Sequence, residues 1–458
     1  MKDTSESKIK TLIKNQRDFF SSNQTKDIDF RLGQLKRLKE AIHQYQGKIE
    51  AALWEDLRKS PEESYLTEIS IVTLEIDNHL KHLKKWSAPE RVSTPVHLQP
   101  SSSKIYFEPL GLSLIVAPWN YPFQLLINPL VGAISSGCTA ILKPSPYTPA
   151  TAKAMEEMIS ENFESKYISL VQGGRETNTI LFYERFDLIF FTGSPKVGKI
   201  VMKAAAENLT PVVLELGGKS PGIIDHDSDL DIAAKRIAWG KLINAGQTCI
   251  APDYLFAHSS IKDELLEKIS HSITKMYGED IERSRFYPRI VNQDAMKRLE
   301  SYLDKSKIYL GGEVNFEERF FAPTIMDNVT PKDPVMQDEI FGPILPVMTF
   351  DNIEEPIAYV NNNEKPLALY YFGKNKKAKE VFDKTTSGGG CINDTLMQIT
   401  NHNLPFGGVG NSGLGKYHGK ESFLAFSNRR AVVKTPTWID TPLKYVPFKY
   451  FNLIKKII

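Results

Sequence analysis

The stretch that decides the fold is FTGSPKVG at residues 191–198, which continues the apolar run LIF at 188–190. A short apolar run predicts a buried strand, and residues 196–209 have the pattern of a helix. Glycines at such a junction let the backbone approach a phosphate, and the helix N-terminus supplies free N–H groups. A plain strand-to-helix turn is the alternative, although one glycine would be enough for it.

Strand and helix patterns alternate on both sides of this turn. Further strands are predicted at 112–117, 139–142, 169–172 and 211–216, and a further helix at 151–163. A second alternating region, 222–395, has helical patterns at 230–244 and 261–277 and strand patterns at 254–257 and 345–350. This rhythm predicts an α/β fold with parallel strands. Residues 5–88 are predicted to be mostly helical.

The composition is that of an ordinary globular protein. The chain has 458 residues, of which 41% are hydrophobic and 24% charged, and this length predicts two or three domains. Its net charge is +2, from 57 basic and 55 acidic residues. This balance gives no case for nucleic acid or an acidic membrane as a partner.

The cysteines and the apolar runs bear on the cellular compartment. Cys138, Cys249 and Cys391 are widely spaced and odd in number, which argues against a disulfide scaffold and a zinc site. The N-terminus has no apolar signal core, and no run reaches the roughly 20 apolar residues of a membrane span. A reducing, cytoplasmic location is therefore expected.

Two other segments admit two interpretations each. Glu75, His79 and His82 could share a helical face and bind a metal, but the neighbouring lysines favour a solvated face. Residues 443–458 mix aromatic side chains with lysines and could lie on a membrane surface. Because Pro447 and Asn452 interrupt that segment, packing against its own protein or a partner subunit is favoured.

One candidate is present for each part of covalent catalysis at a carbonyl. Such catalysis needs a thiolate, a base that activates water and donors for an oxyanion. Cys249 ends the polar run NAGQTC, Glu215 precedes a Gly-Gly pair, and Asn120 lies between aromatic residues after a predicted strand. An isolated cysteine is usually a buried small hydrophobe, but Cys249 follows no apolar run. We therefore interpret the three residues as a catalytic set.

Lys143 ends another predicted strand, in the run ILKPSP at 141–146. Ligands of open α/β sheets bind beyond the carboxyl ends of the strands. A lysine at that point suits a ribose or a phosphate. A surface lysine before a proline turn is an equally good interpretation of this segment alone.

Together these runs resemble the aldehyde dehydrogenase superfamily from the first helices through Arg430. The resemblance rests on ELGGK at 215–219, QTC at 247–249 and EIFGP at 339–343. Three further runs resemble the class 3 branch, which acts on fatty and aromatic aldehydes: APDY at 251–254, EKPLALY at 364–370 and PFGGVGNSG at 405–413.

The resemblance implies a Rossmann-like cofactor-binding domain, an α/β catalytic domain and a small β oligomerisation arm. The cofactor domain would comprise 1–91 and 107–214 with about 400–422, and the catalytic domain 215–399. The arm would comprise 92–106 and 423–440, followed by a C-terminal tail at 441–458. The class 3 resemblance implies a homodimer rather than a tetramer.

The resemblance also assigns roles. Cys249 would attack the aldehyde, Asn120 and the Cys249 backbone N–H would hold the oxyanion, and Glu215 would activate the water that hydrolyses the thioester. Residues assigned to the cofactor, which would be NAD or NADP, are Lys143, Gly193, Ser194, Pro195, Lys196, Val197, Gly198, Glu339 and Phe341. Those assigned to an apolar substrate tunnel, suited to medium-chain aliphatic or aromatic aldehydes, are Tyr121, Trp239 and Ile243. No metal is implied.

One departure from the family bears on the cofactor. Many members carry a glutamate three residues after the Lys143 position, where it repels the 2′-phosphate of NADP, but this chain has Pro146. The choice between NAD and NADP is therefore open. Two rival functions are a CoA-acylating or phosphorylating dehydrogenase and an inactive relative that serves as a binding protein. Glu215 favours water as the acceptor, and the full catalytic set argues against inactivity.

Overall fold

The computed structural model describes residues 3–440, 442–452 and 455. In the numbering used below, the helices are α1 (Glu6–Ser21), α2 (Ile28–Leu57), α3 (Pro61–Ser64), α4 (Ser70–Trp86), α5 (Gln124–Ser136), α6 (Pro149–Asn162), α7 (Arg175–Tyr183), α8 (Pro195–Ala206), α9 (Leu230–Leu242), α10 (Lys262–Tyr277), α11 (Gln293–Glu300), α12 (Glu354–Asn362), α13 (Asn375–Lys384) and α14 (Lys420–Ala425).

The strands are β1 (Glu90–Val92), β2 (Ser102–Pro109), β3 (Leu112–Val116), β4 (Thr139–Lys143), β5 (Ile168–Leu170), β6 (Leu188–Thr192), β7 (Val212–Glu215), β8 (Pro221–Ile224), β9 (Tyr254–His258), β10 (Ile308–Leu310), β11 (Val314–Asn315), β12 (Phe320–Phe321), β13 (Thr324–Met326), β14 (Ile344–Phe350), β15 (Ala368–Phe372), β16 (Gly389–Ile392), β17 (Gly413–Leu414) and β18 (Ser427–Lys434).

The first sheet has six strands in the order β17-β7-β6-β3-β4-β5. Its strands run parallel except β17, which pairs antiparallel with β7. All residues of β3, β4 and β6 are buried, as expected for a sheet with both faces covered. The parallel architecture predicted from the alternating pattern is confirmed, and the predicted strands and helices match within three residues.

The second sheet has seven strands in the order β10-β13-β14-β9-β8-β15-β16. It is also parallel, apart from β10, which pairs antiparallel with β13. Helix α9 packs against α10 beside this sheet. Helix α9 ends at Leu242, earlier than predicted, because Ile243 leaves the helical conformation with a ψ of 136° and left-handed residues follow it.

A third, antiparallel sheet is formed by β1, β2 and β18. It joins the two segments predicted to be an oligomerisation arm, and most residues of β18 are exposed. The second of these segments, 423–440, was expected to be extended from Phe423 onward. This expectation is wrong for its first residues. Residues 420–425 form α14, because Phe423 is buried where α14 packs against α5. The domain boundaries themselves stay predictions.

The N-terminal region is helical, as predicted, but the solvated face expected for Glu75 and His79 is wrong. Both side chains are buried, with Nε2 of His79 3.1 Å from Oε1 of Glu75. The Gly419 N–H and the Ser422 hydroxyl donate to the same carboxylate oxygen. Burial alone would raise the pKa of Glu75, but the hydrogen bonds from His402 and His79 outweigh it and lower the pKa. The carboxylate therefore joins α4 to α14.

The residues that the structure describes contain no group of three or more His, Cys, Asp and Glu side chains arranged to hold a metal ion. None of their helices combines the length and the apolarity needed to cross a membrane. In the C-terminal tail, the described side chains of Tyr445, Phe448 and Phe451 are exposed, so the packing on this chain that was favoured is not seen for them. Residues 441, 453–454 and 456–458 lie outside the described residues, and the cytoplasmic location stays a prediction.

Candidate active site

A cavity of about 670 Å³ is lined by residues from both parallel-sheet regions. From the first region come Asn120, which follows β3, the turn after β6, and Glu215 at the end of β7. Cys249, Glu339 and Phe341 line the same cavity from the second region. The carboxyl ends of parallel strands are the usual ligand-binding edge of such sheets. The structure thus brings the predicted catalytic set together in one cleft.

The loop that carries Cys249 is held in an unusual backbone conformation. Asn244 and Ala245 have φ angles of 51° and 52°, in the left-handed region that non-glycine residues rarely occupy. Gly246 follows at 74°, where a Cβ would overlap the carbonyl of Gly342. Such strain persists only where surrounding contacts impose it, and it is concentrated at functional sites.

The buried side chain of Gln247 supplies those contacts. Its Nε2 donates to the carbonyls of Asn244 at 3.0 Å and Arg289 at 3.1 Å. Its Oε1 accepts from the Val291 N–H at 3.0 Å. The next residue, Thr248, is bonded through its hydroxyl to the Tyr121 hydroxyl at 2.6 Å. The position of Cys249 is therefore set by side chains from several elements.

The amide of Asn120 lies against the same loop. It is 2% exposed, and its Nδ2 donates to the Gln247 carbonyl at 3.0 Å. The backbone carbonyl of Asn120 accepts from Asn244 Nδ2 at 2.7 Å and from Lys59 Nζ at 3.3 Å. Lys59 is fully buried and paired with Glu68 at 2.6 Å. This ion pair was not anticipated from the sequence, where Lys59 and Glu68 carry no motif.

Glu215 is a buried carboxylate without a hydrogen bond. It is 3% exposed, and neither of its oxygens has a partner among the residues that the structure describes. Burial raises its pKa well above the usual range, and the positive charge of Lys416 opposes that rise only in part. A Cβ on Gly407 would lie 2.8 Å from Oε1, so the 405–408 loop packs closely on the carboxylate. A carboxylate in this state suits a general base.

The Cys249 thiol lies in a site that disfavours its charged form. Burial raises its pKa, and the nearby carboxylates of Glu339 and Glu215 raise it further. These effects disfavour the thiolate in the resting site. Attack of the thiol on a carbonyl requires loss of its proton and stabilisation of the charge that develops on the substrate oxygen.

The turn after β6 has the form expected for a phosphate-binding helix N-terminus. Ser194 is the N-cap of α8, and its Oγ accepts from the Val197 N–H at 3.4 Å. Residues 193–196 line the cavity, so the first turn of α8 opens toward it, although Pro195 has no N–H and the Val197 N–H is bonded to Ser194. Gly193 and Gly198 also serve packing, since a Cβ would lie 2.6 Å from the Phe191 ring and 2.7 Å from Leu216, respectively.

Lys143 is buried at the end of β4, where its Nζ donates to the Pro144 carbonyl at 2.7 Å. Burial lowers its pKa to about 8. Among the described residues no carboxylate pairs with it, and it lies outside the cavity lining. A buried lysine without an anionic partner and an open helix N-terminus are two features that a dinucleotide would satisfy.

Glu339 and Phe341 face the first region across the cavity. A Cβ on Gly217 would overlap the Glu339 carboxylate, so that glycine makes room for it. Burial, with a contribution from Asp253, raises the pKa of Glu339 to about 8. Phe341 has a φ of 48°, and its ring centroid lies 5.4 Å from that of Trp119. Trp119 was not assigned a role from the sequence.

The three residues assigned to the substrate tunnel lie outside the described cavity lining. Tyr121 and Ile243 are buried, but Trp239 on α9 is 37% exposed. Their role stays a prediction. The apolar and aromatic part of the cavity wall includes Trp119, Leu125, Tyr254, Met336, Phe406 and Tyr417.

Comparison with known proteins agrees with this geometry. The model of the aldehyde dehydrogenase family matches residues 1–432. The chain belongs to the aldehyde dehydrogenase family. It is an NAD(P)-dependent aldehyde dehydrogenase with relatives in the class 3 branch.

Two curated relatives span nearly the whole of this aldehyde dehydrogenase. The 4,4′-diaponeurosporen-aldehyde dehydrogenase of Staphylococcus aureus is 46% identical over 441 residues, which are 95% of this chain and 96% of the relative. The dimeric NADP-preferring aldehyde dehydrogenase of Rattus norvegicus is 45% identical, over 93% and 94% of the two chains.

Solved structures show the same fold. The substrate-bound state of Staphylococcus aureus AldH superposes with a TM-score of 0.96 at 45% identity, over 98% of this chain and 99% of the other. A betaine aldehyde dehydrogenase from Staphylococcus aureus in complex with NAD+ has a TM-score of 0.86 at 27% identity, over 97% and 90%. The expected α/β fold with a Rossmann-like domain is confirmed.

Proposed function

We propose that the enzyme oxidises an aldehyde to a carboxylic acid through covalent intermediates on Cys249. The observation that carries the proposal is the convergence of Cys249, Glu215 and Asn120 on one cavity, beside the N-terminus of α8. The bound cofactor, NAD or NADP, supplies the hydride acceptor. The protein supplies the nucleophile, the oxyanion donors and the base.

The first step is attack of the Cys249 sulfur on the aldehyde carbon. Because the pKa of the thiol is raised, its proton must leave as the carbon–sulfur bond forms. Nδ2 of Asn120 and the backbone N–H of Cys249 are the donors proposed for the oxygen of the thiohemiacetal. Nδ2 bonds the Gln247 carbonyl 3.0 Å away, so the amide is held at the nucleophile loop before substrate binds.

The second half of the reaction releases the acid. Loss of a hydride from the thiohemiacetal leaves a thioester on Cys249. Glu215 then takes a proton from water, whose oxygen attacks the thioester carbon, and the thiolate departs. The raised pKa of Glu215 strengthens it as a base, and its unpartnered oxygens leave it able to bond a water. These features favour water as acceptor over the CoA-acylating alternative.

For the substrate, we propose a medium-chain aliphatic or an aromatic aldehyde. Support comes from the apolar and aromatic wall that includes Leu125, Phe406 and Tyr417. The Staphylococcus aureus relative is named a 4,4′-diaponeurosporen-aldehyde dehydrogenase. A series of kcat/KM values against aldehyde chain length tests this choice. The proposal expects kcat/KM to rise from two-carbon to medium-chain aldehydes, and a preference for the smallest ones would contradict it.

The absence of an acidic side chain at Pro146 predicts use of NADP alongside NAD. Pro146 is exposed and follows Lys143 by three residues. Pro146→Glu should place a negative charge where it repels a 2′-phosphate, and raise the NAD-to-NADP ratio of kcat/KM about tenfold. Steady-state kinetics with both cofactors checks this. The exposed Tyr147 is a better control position than Thr151, which is buried, and Tyr147→Glu should change the ratio less. A parent enzyme that ignores NADP would contradict the prediction.

The antiparallel sheet of β1, β2 and β18 predicts a homodimer. Its outer strand β18 is eight residues long and largely exposed, and proteins cover such edges. Twofold pairing through this arm is the arrangement proposed. Light scattering should give about twice the monomer mass of 51.8 kDa. A monomer at micromolar concentration would contradict the pairing of the arm, and a tetramer would contradict the class 3 type of assembly.

A further inference from the structure

A second cavity, of about 370 Å³, shares no lining residue with the catalytic cleft. Its wall contains three arginines that come from distant parts of the chain. Arg58 caps the C-terminus of α2, Arg289 precedes α11, and Arg319 lies in the turn between β11 and β12. We call this cavity the arginine pocket.

Two of the guanidinium groups donate to backbone carbonyls, and the third packs on an aromatic ring. Nη1 of Arg289 donates to the Tyr287 carbonyl at 2.9 Å, and Nη1 of Arg319 donates to the Val291 carbonyl at 2.8 Å. The Arg58 guanidinium lies 4.7 Å from the centre of the Trp54 ring. Arg289 is 5% exposed, and its Nε has no hydrogen-bond partner among the residues that the structure describes.

Within the described residues no carboxylate forms an ion pair with Arg58, Arg289 or Arg319. The arginines that form ion pairs there are Arg17, Arg236, Arg283, Arg285 and Arg430. Burial lowers the pKa of Arg289 and the charge of Arg58 lowers it further, while the carboxylates of Glu318 and Glu282 oppose this shift. The pocket therefore brings together three guanidinium groups that lack an ion-pair partner among the described residues, and a bound anion would supply one.

The backbone has an unusual conformation at two of the arginines. Arg58 and Arg319 have φ angles of 57° and 52°, which glycine or asparagine adopts more readily. Neither position is favourable for arginine on backbone grounds. Both side chains line the same pocket.

The rim of the pocket limits what can enter. Glu55, Glu317 and Glu318 also line it, and all three are exposed. These exposed carboxylates repel extended polyanions such as nucleic acids. Of the three arginines, Arg289 is buried, Arg319 is half-buried and Arg58 is exposed. A compact anion that reaches the guanidinium groups is compatible with the acidic rim and with the arginines.

We propose that the arginine pocket binds a phosphate group, either as inorganic phosphate or as a small phosphate monoester. Guanidinium groups match phosphate oxygens in geometry and charge. The pocket lies directly behind the Cys249 loop, since the Arg289 carbonyl accepts from Gln247 Nε2 at 3.1 Å. Val291, whose carbonyl is held by Arg319, donates its N–H to the same side chain.

The test is isothermal titration calorimetry of the full-length enzyme with inorganic phosphate and, separately, with glycerol 3-phosphate. Saturating NAD is present, so that phosphate cannot report binding at the N-terminus of α8. Chloride keeps the ionic strength constant, because surface lysines also attract anions. The variants are Arg58→Gln and Arg319→Gln. Arg283→Gln is the control, because that side chain is 88% exposed and lies outside the pocket lining.

The parent and Arg283→Gln should bind one equivalent with equal affinity, and each pocket variant should bind about tenfold more weakly, as expected for a lost bond to a charged group. Tighter binding of phosphate identifies the free anion as the ligand, and tighter binding of glycerol 3-phosphate identifies a monoester. Circular dichroism verifies that the variants are folded. The absence of saturable binding by the parent, or equal affinity in the parent and both folded pocket variants, would overturn the proposal.

Discussion

Replacement of Cys249 by alanine should abolish aldehyde oxidation while NAD binding remains. The nucleophile is lost, but the turn after β6 and the other cofactor-facing residues are unchanged. A loss of roughly 10⁴-fold or more in kcat is expected, since removal of a catalytic nucleophile has effects of this size. Initial rates of NADH formation and quenching of tryptophan fluorescence by NAD measure the two properties.

Cys391→Ala is the matched control for this experiment. Cys391 is partly exposed, and its Sγ lies 2.8 Å from Oε1 of Gln398, outside the catalytic cavity. Its loss should leave kcat within about twofold of the parent, as for most substitutions away from the site. Turnover by Cys249→Ala at a rate close to that of the parent would rule out the covalent route.

Replacement of Glu215 by glutamine should slow release of the acid by about 10²-fold or more. The substitution keeps the shape of the side chain and removes the base. Because hydride transfer precedes hydrolysis, a burst of NADH equivalent to the active sites should come first, followed by slow turnover. Stopped-flow absorbance at saturating aldehyde separates the two phases. Glu267→Gln, at an exposed position on α10, is the control and should behave as the parent.

The pH dependence supplies an independent readout of the same residue. Glu215 must be ionised to accept a proton, and its pKa is raised by burial. Hydrolysis by the parent should therefore slow as the pH falls through that raised pKa and the carboxylate becomes protonated. In Glu215→Gln this limb of the profile should be absent. A parental limb that persists in the variant would assign the base to another residue.

Much of the secondary structure was predictable because it depends on local sequence patterns. The apolar runs of β3, β4 and β6 are short and bounded by turn residues, so their positions followed from periodicity. Cys249 was recognisable for a similar reason, since the residues around it are small and polar rather than apolar. These signals depend on neighbours in the sequence.

The parts that escaped prediction depend on contacts between distant residues. The Gly419 N–H donates to the carboxylate of Glu75, 344 positions away in the sequence. This bond belongs to a buried contact at a position that was expected to face solvent. The Lys59–Glu68 ion pair beside Asn120 and the grouping of three arginines in the arginine pocket also form only in the folded chain. Sequence periodicity predicts which face of a helix or strand is buried, but it does not predict which residues pack against that face.

The central claim is that an acyl group passes through Cys249 and leaves by attack of a water that Glu215 activates. Mass spectrometry of Glu215→Gln, quenched in acid seconds after mixing with a medium-chain aldehyde and NAD, tests it most directly. We predict one added acyl group per chain, on the peptide that contains Cys249, and far less in the parent, in which hydrolysis is fast. Full conversion of NAD to NADH with no acyl group on that peptide, in variant and parent alike, would contradict the account.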